Sequence, residues 1–330
     1  MAKRSTVIDV AESAGVGAST VSRHLRGITV RPKLAERIEK AVRELDYEPD
    51  ETARSLRGGR SRTIGVLFPK VSNSYFSHAL QRIEERASEH GYTVALLTHH
   101  NDPKEQLNEL LTLRRCRAEG VIITALPGTT LQDIRTVLPN EPIVSLDSFF
   151  SPELDSVLLQ NRQSAANATK HFLDHGYKAV ACVTARPGTY SYRERMDGYS
   201  AEMRSRGLQS QMIVAEDYPE LDEMLRVELS SEQRPEALLA LSDTAVLHIM
   251  KLFQELRLSP ARRPKMIGFD DFELAAFLDV PLSVVRQPIP EMVDAAMNSL
   301  LRQIKEGTTP GTQTLSMPGQ LIIRNSCGCK

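Results

Sequence analysis

The run Gly17, Ala18, Ser19, Thr20, Ser22, Arg23 sets small and hydroxyl-bearing side chains ahead of a long planar cation. That order suits the edge of a base pair. Small residues let the backbone approach, hydroxyls donate or accept, and a guanidinium can grip guanine through two parallel hydrogen bonds. Such a bidentate contact discriminates against the wrong base by about 1–3 kcal/mol. Thr6 and Arg26 add polar groups on the same segment.

To reach a groove, these side chains must stand at the amino end of a helix, and the surrounding pattern supplies one. Ser5 or Thr6 can cap a first helix whose apolar face is Val10, Ala11 and Ala14 and which Gly15 ends. A second begins near Ala18, with Val21 and Leu25 turned inward. A third runs from Pro32 to Leu45 on a Leu34, Ile38, Val42, Leu45 stripe, and Tyr47-Glu48-Pro49 stops it. Residues 1–49 therefore read as a small all-α helix-turn-helix headpiece. Thr52-Ala53-Arg54-Ser55-Leu56-Arg57, ahead of Gly58-Gly59, would be too short a helix to persist alone in water. Residues 50–61 read as a hinge helix and linker.

Charge supports a polyanionic partner. The whole chain of 330 residues has a formal net charge of −1. Residues 1–62 hold 13 Lys and Arg against 9 Asp and Glu, and the remainder 28 against 33. The near-neutral total averages a basic amino-terminal segment and a mildly acidic body.

From residue 63 the texture changes to alternating strands and helices. Strands are expected at Thr63 to Phe68, Thr93 to Leu97, Gly120 to Thr124, Ile143 to Leu146, Ala179 to Val183, Leu238 to Leu241 and Met266 to Phe269. Helices are expected between them, at Tyr75 to Gly91, Gln163 to Gly176 and Thr244 to Leu256 among others. This alternation implies an α/β core, residues 62–330, of two doubly wound parallel-sheet lobes with a middle near residue 158. Ligands in such sheets sit beyond the carboxyl ends of the strands.

Several chemistries are unsupported. Neither GxGxxG nor GxxxxGK[ST] follows a strand, and no cofactor or enzymatic reaction is expected. His99-His100 lacks the spacing of a helical zinc pair and should lie in a loop. Cys327-Gly328-Cys329 has no second ligand pair nearby in sequence, so a flexible, solvent-exposed tail and no metal site are expected. Four scattered cysteines suit a reducing compartment, and no apolar run approaches the roughly 20 residues of a membrane span. The start, MAKRSTVIDVAE, has no apolar stretch of a secretory signal, and a cytoplasmic protein without membrane contact is expected.

Val7-Ile8-Asp9-Val10-Ala11, Ala14-Gly15-Val16 and Ser19-Thr20-Val21-Ser22-Arg23 resemble the opening of the lac repressor (LacI/GalR) family of bacterial regulators. The likeness continues through Leu45-Asp46-Tyr47-Glu48-Pro49, Ala53-Arg54-Ser55-Leu56 and Thr63-Ile64-Gly65-Val66. It extends to Asn73-Ser74-Tyr75-Phe76, Gly91-Tyr92, Gly120-Val121, Arg195-Met196-Asp197-Gly198-Tyr199 and Gly268-Phe269-Asp270-Asp271. The resemblance implies a homodimer on pseudo-palindromic double-stranded operator DNA, with a core like the periplasmic sugar receptors. Leu56, beside Ala53, matches the family's minor-groove leucine, an apolar wedge that unstacks a base step in exchange for a bent site.

The same resemblance places a small-molecule effector between the lobes, with Asp270 and Arg195 at the positions that bind ligand hydroxyls. That pair suits a sugar, sugar phosphate or sugar acid. Asn73 and Asp147 are further polar candidates, Tyr75, Phe76 and Tyr218 could supply apolar faces, and Gln287 could close the cleft. Ser242-Asp243 stands where many relatives carry Asn-Asp, and the shorter serine, with only a hydroxyl, implies different ligand contacts there. Repression relieved by a sugar-type effector is expected. The alternatives are purine-type co-repression and a two-lobed receptor with no DNA role.

Overall fold

The computed structural model describes residues 5–25, 28–47, 61–307 and 312–329. Arg26, Ala53, Leu56 and most of the expected hinge lie outside them. The chain divides into two compact units, Met1–Ser61 and Arg62–Lys330.

The first unit contains α1 (Val7–Ala14), α2 (Ala18–Leu25) and α3 (Pro32–Glu44). Local chemistry sets each end. Thr6 caps α1 in a reciprocal box with Asp9, and Gly15 ends it with φ 62°. Only a residue tolerant of left-handed backbone allows that reversal, and its carbonyl accepts a hydrogen bond from Arg37 Nη2 at 3.2 Å. Pro32 opens α3, where a missing N–H costs nothing. Val10, Ala11, Ala14, Val21, Ile38 and Ala41 form the core.

The second unit opens with β1 (Thr63–Phe68), α4 (Ser74–Glu89), β2 (Thr93–Thr98), α5 (Pro103–Arg115), β3 (Gly120–Ile123), α6 (Leu131–Val137), β4 (Ile143–Leu146) and β5 (Asp155–Leu159). It continues with α7 (Asn161–Asp174), β6 (Val180–Ala185), α8 (Tyr190–Ser205), β7 (Gln211–Ala215), α9 (Tyr218–Ser230), β8 (Ala237–Ala240), α10 (Asp243–Glu255), β9 (Lys265–Phe269) and β10 (Ser283–Arg286). It closes with α11 (Ile289–Glu306), β11 (Thr314–Met317) and β12 (Gln320–Ile322). Two six-stranded sheets result, ordered β11-β5-β4-β3-β1-β2 and β12-β10-β9-β8-β6-β7. Every pairing is parallel except β10 with β12. The central strands are apolar on both faces because helices cover both, so they read as unbroken hydrophobic runs.

The chain crosses between the sheets three times, after β5, after β10 and after β11. Thus α11 follows a strand of the second sheet yet packs Met292, Val293, Ala296, Met297 and Leu300 onto the first. Buried Asp155 at the head of β5 holds that helix, accepting hydrogen bonds from Ser299 Oγ, from Arg302 Nη2 at 3.0 Å and from Gln303 Nε2 at 3.2 Å. Helices α7 and α8 pack without a side chain between them at Gly198, where a Cβ would lie 2.0 Å from the Arg162 carbonyl oxygen.

Two expectations need correction. The helix expected from Gln163 to Gly176 starts two residues earlier and ends two earlier, because Gly176 adopts φ 88° beyond the last turn. The Cys327-Gly328-Cys329 segment is not a flexible exposed tail. Asn325–Cys327 forms a 3-10 turn and Cys327 is fully buried. Ser326 Oγ donates to Met266 O at 2.6 Å and accepts from Ser283 N at 2.7 Å, which pins the segment to β9 and β10.

Candidate functional site

In the first unit the fold buries one side of α2 and leaves the other open. Val21 is buried, while Gly17, Ala18, Ser19 and Arg23 are exposed and Thr20 and Ser22 half-buried. Gly17 precedes the helix and its carbonyl accepts from Thr20 N at 2.8 Å, so Ala18 and Ser19 stand in the first turn. Thr6 is spent locally on its cap with Asp9. The polar face is therefore a helix amino end that presents small groups, with a guanidinium one turn behind.

In the second unit the two sheets place an aspartate at the same point of each lobe. Asp147 follows β4 and Asp270 follows β9, and both are left-handed, with φ 57° and 72°. Their amides make matching bonds, Asp147 N to Val157 O and Asp270 N to Val285 O, each 3.0 Å. Asp tolerates this conformation better than most residues, and here it turns both carboxyls into the space between the lobes. That cleft is lined by Asn73, Tyr75, Phe76, Asp147, Arg195, Tyr218, Asp270 and Gln287, bringing eight of the nine expected residues together. The ninth, Ser242, caps α10, accepting from Ala245 N at 3.1 Å, and hydrogen-bonds the cleft-lining Tyr192 and Tyr218 from behind.

Arg195 is a buried cation of the cleft. Its Nε donates to Asn161 Oδ1 at 2.8 Å while Nη1 donates to Leu241 O at 2.6 Å. Its guanidinium lies 4.0 Å from the centroid of Phe269. The two bonds hold the planar fork rigid, so it needs little ordering to meet a ligand. Burial pushes Asp147 up to about 7 and Asp270 up to about 6; Arg195 opposes both shifts, and Asp270 adds to that of Asp147. Three buried polar atoms of the cleft have no protein partner: Tyr75 Oη, Asp147 Oδ1 and Gln287 Oε1. An unmet buried polar group costs about 1–3 kcal/mol, which a ligand with several hydroxyls would relieve. Gln287 Nε2 is already committed to Asp270 Oδ1 at 2.6 Å.

These carboxyls carry a pH signature. Their folded pKa values lie above the unfolded ones, so the folded state holds extra protons and its stability falls as pH rises from about 4 through about 7. A ligand that donates hydroxyls to the carboxylates favours their ionised form. Its affinity should therefore rise across about pH 6–7 with proton release, seen by calorimetry in buffers of different ionisation enthalpy. Asp147→Asn should remove most of that release; release unchanged by the substitution would refute the assignment.

The space between these groups measures about 70 Å³, well below the roughly 300 Å³ at which ordinary ligand sites begin. The lobes are thus drawn together, and Asp243 is the bolt. Its carboxylate accepts from Asn73 Nδ2 at 2.5 Å and from Ser74 N and Oγ, each at 2.8 Å. It therefore sits in the first turn of α10 and against the amino end of α4 at once, where both helix dipoles favour negative charge. Asn73 also caps α4, accepting from Tyr75 N at 3.0 Å, so its amide is fully engaged.

Pattern reading missed Lys70, Arg186, Tyr192 and Asn161. Lys70 and Arg186 line the cleft, and burial holds Lys70 below the usual lysine range. Lys70 follows β1 and Arg186 follows β6, equivalent strand ends in the two lobes, which is the signal that could have found them. His99 does lie in a loop, as expected, but is buried with Nε2 3.0 Å from Thr124 O, a structural role.

Comparison with known proteins is consistent along the chain. Residues 6–50 match the bacterial regulatory proteins of the lacI family, and residues 169–327 match a periplasmic binding protein-like domain. The HTH-type transcriptional regulator KdgR of Bacillus subtilis (strain 168) is 30% identical over 336 residues, covering 97% of each chain. The ribose operon repressor of Escherichia coli (strain K12) is 29% identical, covering 97% of this chain and 99% of its own. A lac repressor dimer bound to operator and the anti-inducer ONPF shares the fold, with a TM-score of 0.86 at 23% identity over 98% of this chain and 99% of that one. The transcriptional regulator CelR in complex with cellobiose gives 0.71 at 22% identity, over 98% and 100%. The chain belongs to the lacI family of bacterial regulatory proteins and is a DNA-binding transcriptional regulator.

Proposed function

We propose that this regulator is a cytoplasmic homodimeric repressor whose hold on a pseudo-palindromic operator is set by an anionic sugar derivative bound between the lobes of residues 62–330. Ser19, Thr20, Ser22 and Arg23, with Gly17 and Ala18 allowing close approach, read the major groove. Arg26, Ala53 and Leu56 complete the DNA surface in this reading, with the headpiece at 1–49 and the hinge at 50–61. Among the described residues no helix is long and apolar enough to cross a membrane.

The observation that carries the effector class is the trio of unpartnered cleft atoms, Tyr75 Oη, Asp147 Oδ1 and Gln287 Oε1, around Arg195. Two are acceptors that need hydroxyl donors, and a polyol ring supplies several within a few ångströms. Lys70 and Arg186 add positive charge at one side of the cleft, favouring a sugar acid or sugar phosphate over a neutral sugar. A relative named for the ribose operon and a fold neighbour in complex with cellobiose support a carbohydrate.

A thermal-shift panel of neutral monosaccharides, sugar acids, sugar phosphates and purines tests this reading. The expected hit is an anionic sugar, with its shift abolished in Asp147→Asn. A response to purines alone would overturn it.

A further inference from the structure

The carboxyl-terminal segment meets a helix 150 residues earlier in a cluster of four soft donor atoms. His171 lies in the last turn of α7 and His175 caps it, so the two imidazoles fall on one face, with ring centroids 4.4 Å apart. Cys329 Sγ lies 3.5 Å from His171 Nε2 and 3.2 Å from His175 Nε2. Donor atoms of His171, Cys327 and Cys329 all fall within 4.8 Å of one another. We propose that the clustered His171, Cys327 and Cys329 take a Zn(II) ion, with His175 swinging in beside Cys329 as the fourth ligand, and so clamp the carboxyl-terminal segment to α7.

The separations fit that chemistry. Zn–S of about 2.3 Å and Zn–N of about 2.0–2.1 Å at a tetrahedral angle put sulfur and nitrogen about 3.6 Å apart. The distances from Cys329 Sγ to the two imidazoles sit close to this value, and Cys327 Sγ lies within 4.8 Å of the donor atoms of His171 and Cys329. Two thiolates and two neutral imidazoles cancel the charge of the ion, as a half-buried position requires. Thiolate and imidazole in tetrahedral array select zinc over the hard cations, which prefer oxygen.

Three further features favour ligation over chance packing. His175 Nδ1 lies 2.8 Å from the His171 carbonyl oxygen, so its proton sits there and Nε2 keeps a free lone pair toward the sulfur. That is the outer contact metal-binding histidines ordinarily make. Gly328, at φ 97°, reverses the chain between the cysteines, a conformation a side chain would strain. The segment is fixed in advance by Ser326 and by Arg324, whose Nη1 donates to Leu282 O at 2.7 Å. An ordered, partly buried thiol pair on a rigid base loses little entropy on binding an ion.

The test uses the full-length protein, reduced, stripped with a chelator and titrated with Co(II) and then Zn(II). The expected result is one equivalent of tetrahedral Co(II) with thiolate charge-transfer absorption, displaced by one equivalent of Zn(II), and a higher Tm for the zinc form. Cys329→Ser and His171→Gln should abolish the absorption, and His175→Gln should weaken binding at least about tenfold. Cys116→Ser, at an exposed cysteine outside the cluster, should change nothing. Absence of the charge-transfer band in the wild type, or its persistence in Cys329→Ser, would overturn the site. A Cys327–Cys329 disulfide that forms in glutathione buffer despite added Zn(II) would overturn it as well.

Discussion

Operator affinity should fall about 10³–10⁵-fold between about 50 and 200 mM salt, the loss expected when roughly 6–10 phosphates are neutralised. The reason lies in where the charge sits. The first 62 residues carry the basic excess, the remainder the acidic one, and a dimer would offer two basic segments to one duplex. Each cation that meets a phosphate releases condensed counterions, and added salt opposes that release. Effector binding should respond far less, because Arg195 and the two aspartates are buried where mobile ions do not screen them, and salt reaches only Lys70 and Arg186. Fluorescence anisotropy on a selected operator at several salt concentrations measures the slope. A flat response would remove the electrostatic basis of the DNA assignment.

Arg195→Met should cost about 2–6 kcal/mol of folding stability, about 1–3 kcal/mol for each of the two buried acceptors left without a donor. The variant strands Asn161 Oδ1 and Leu241 O, and leaves Asp147 and Asp270 without their counter-charge. Both carboxyls would then stay protonated to higher pH and lose their capacity to accept hydroxyls. Effector affinity should drop at least about 100-fold, the equivalent of losing one charged hydrogen bond of roughly 3 kcal/mol. Calorimetry and thermal unfolding read the two effects together, while operator binding without effector should keep the wild-type salt slope. Effector affinity within a few-fold of wild type would mean the ligand does not meet Arg195.

Legibility in the sequence followed the range of each interaction. The headpiece helices were readable because Thr6, Gly15 and Pro32 mark their ends locally. The inner strands were readable because burial on both faces leaves continuous apolar runs. The edge strands β11 and β12 were not, since their residues are largely exposed and only pairing makes them strands. Asp270 and Arg195 were reached through family motifs, but the bolt at Asp243 was not. Its partners Asn73 and Ser74 lie about 170 residues away, and only closure of two lobes brings them together. The thiol–imidazole cluster failed for the same reason. Cys329 and His171 are separated by 158 positions, so the second ligand pair was invisible beside Cys327-Gly328-Cys329.

In the proposed function, one equilibrium of the two lobes links cleft and operator. Reciprocal titration tests it most directly: operator Kd with and without the anionic sugar found by thermal shift, and sugar Kd with and without operator. Saturating sugar should weaken operator binding about 5- to 150-fold, and operator should weaken sugar binding by the same factor. An operator Kd unchanged by a sugar that demonstrably fills the cleft would contradict it.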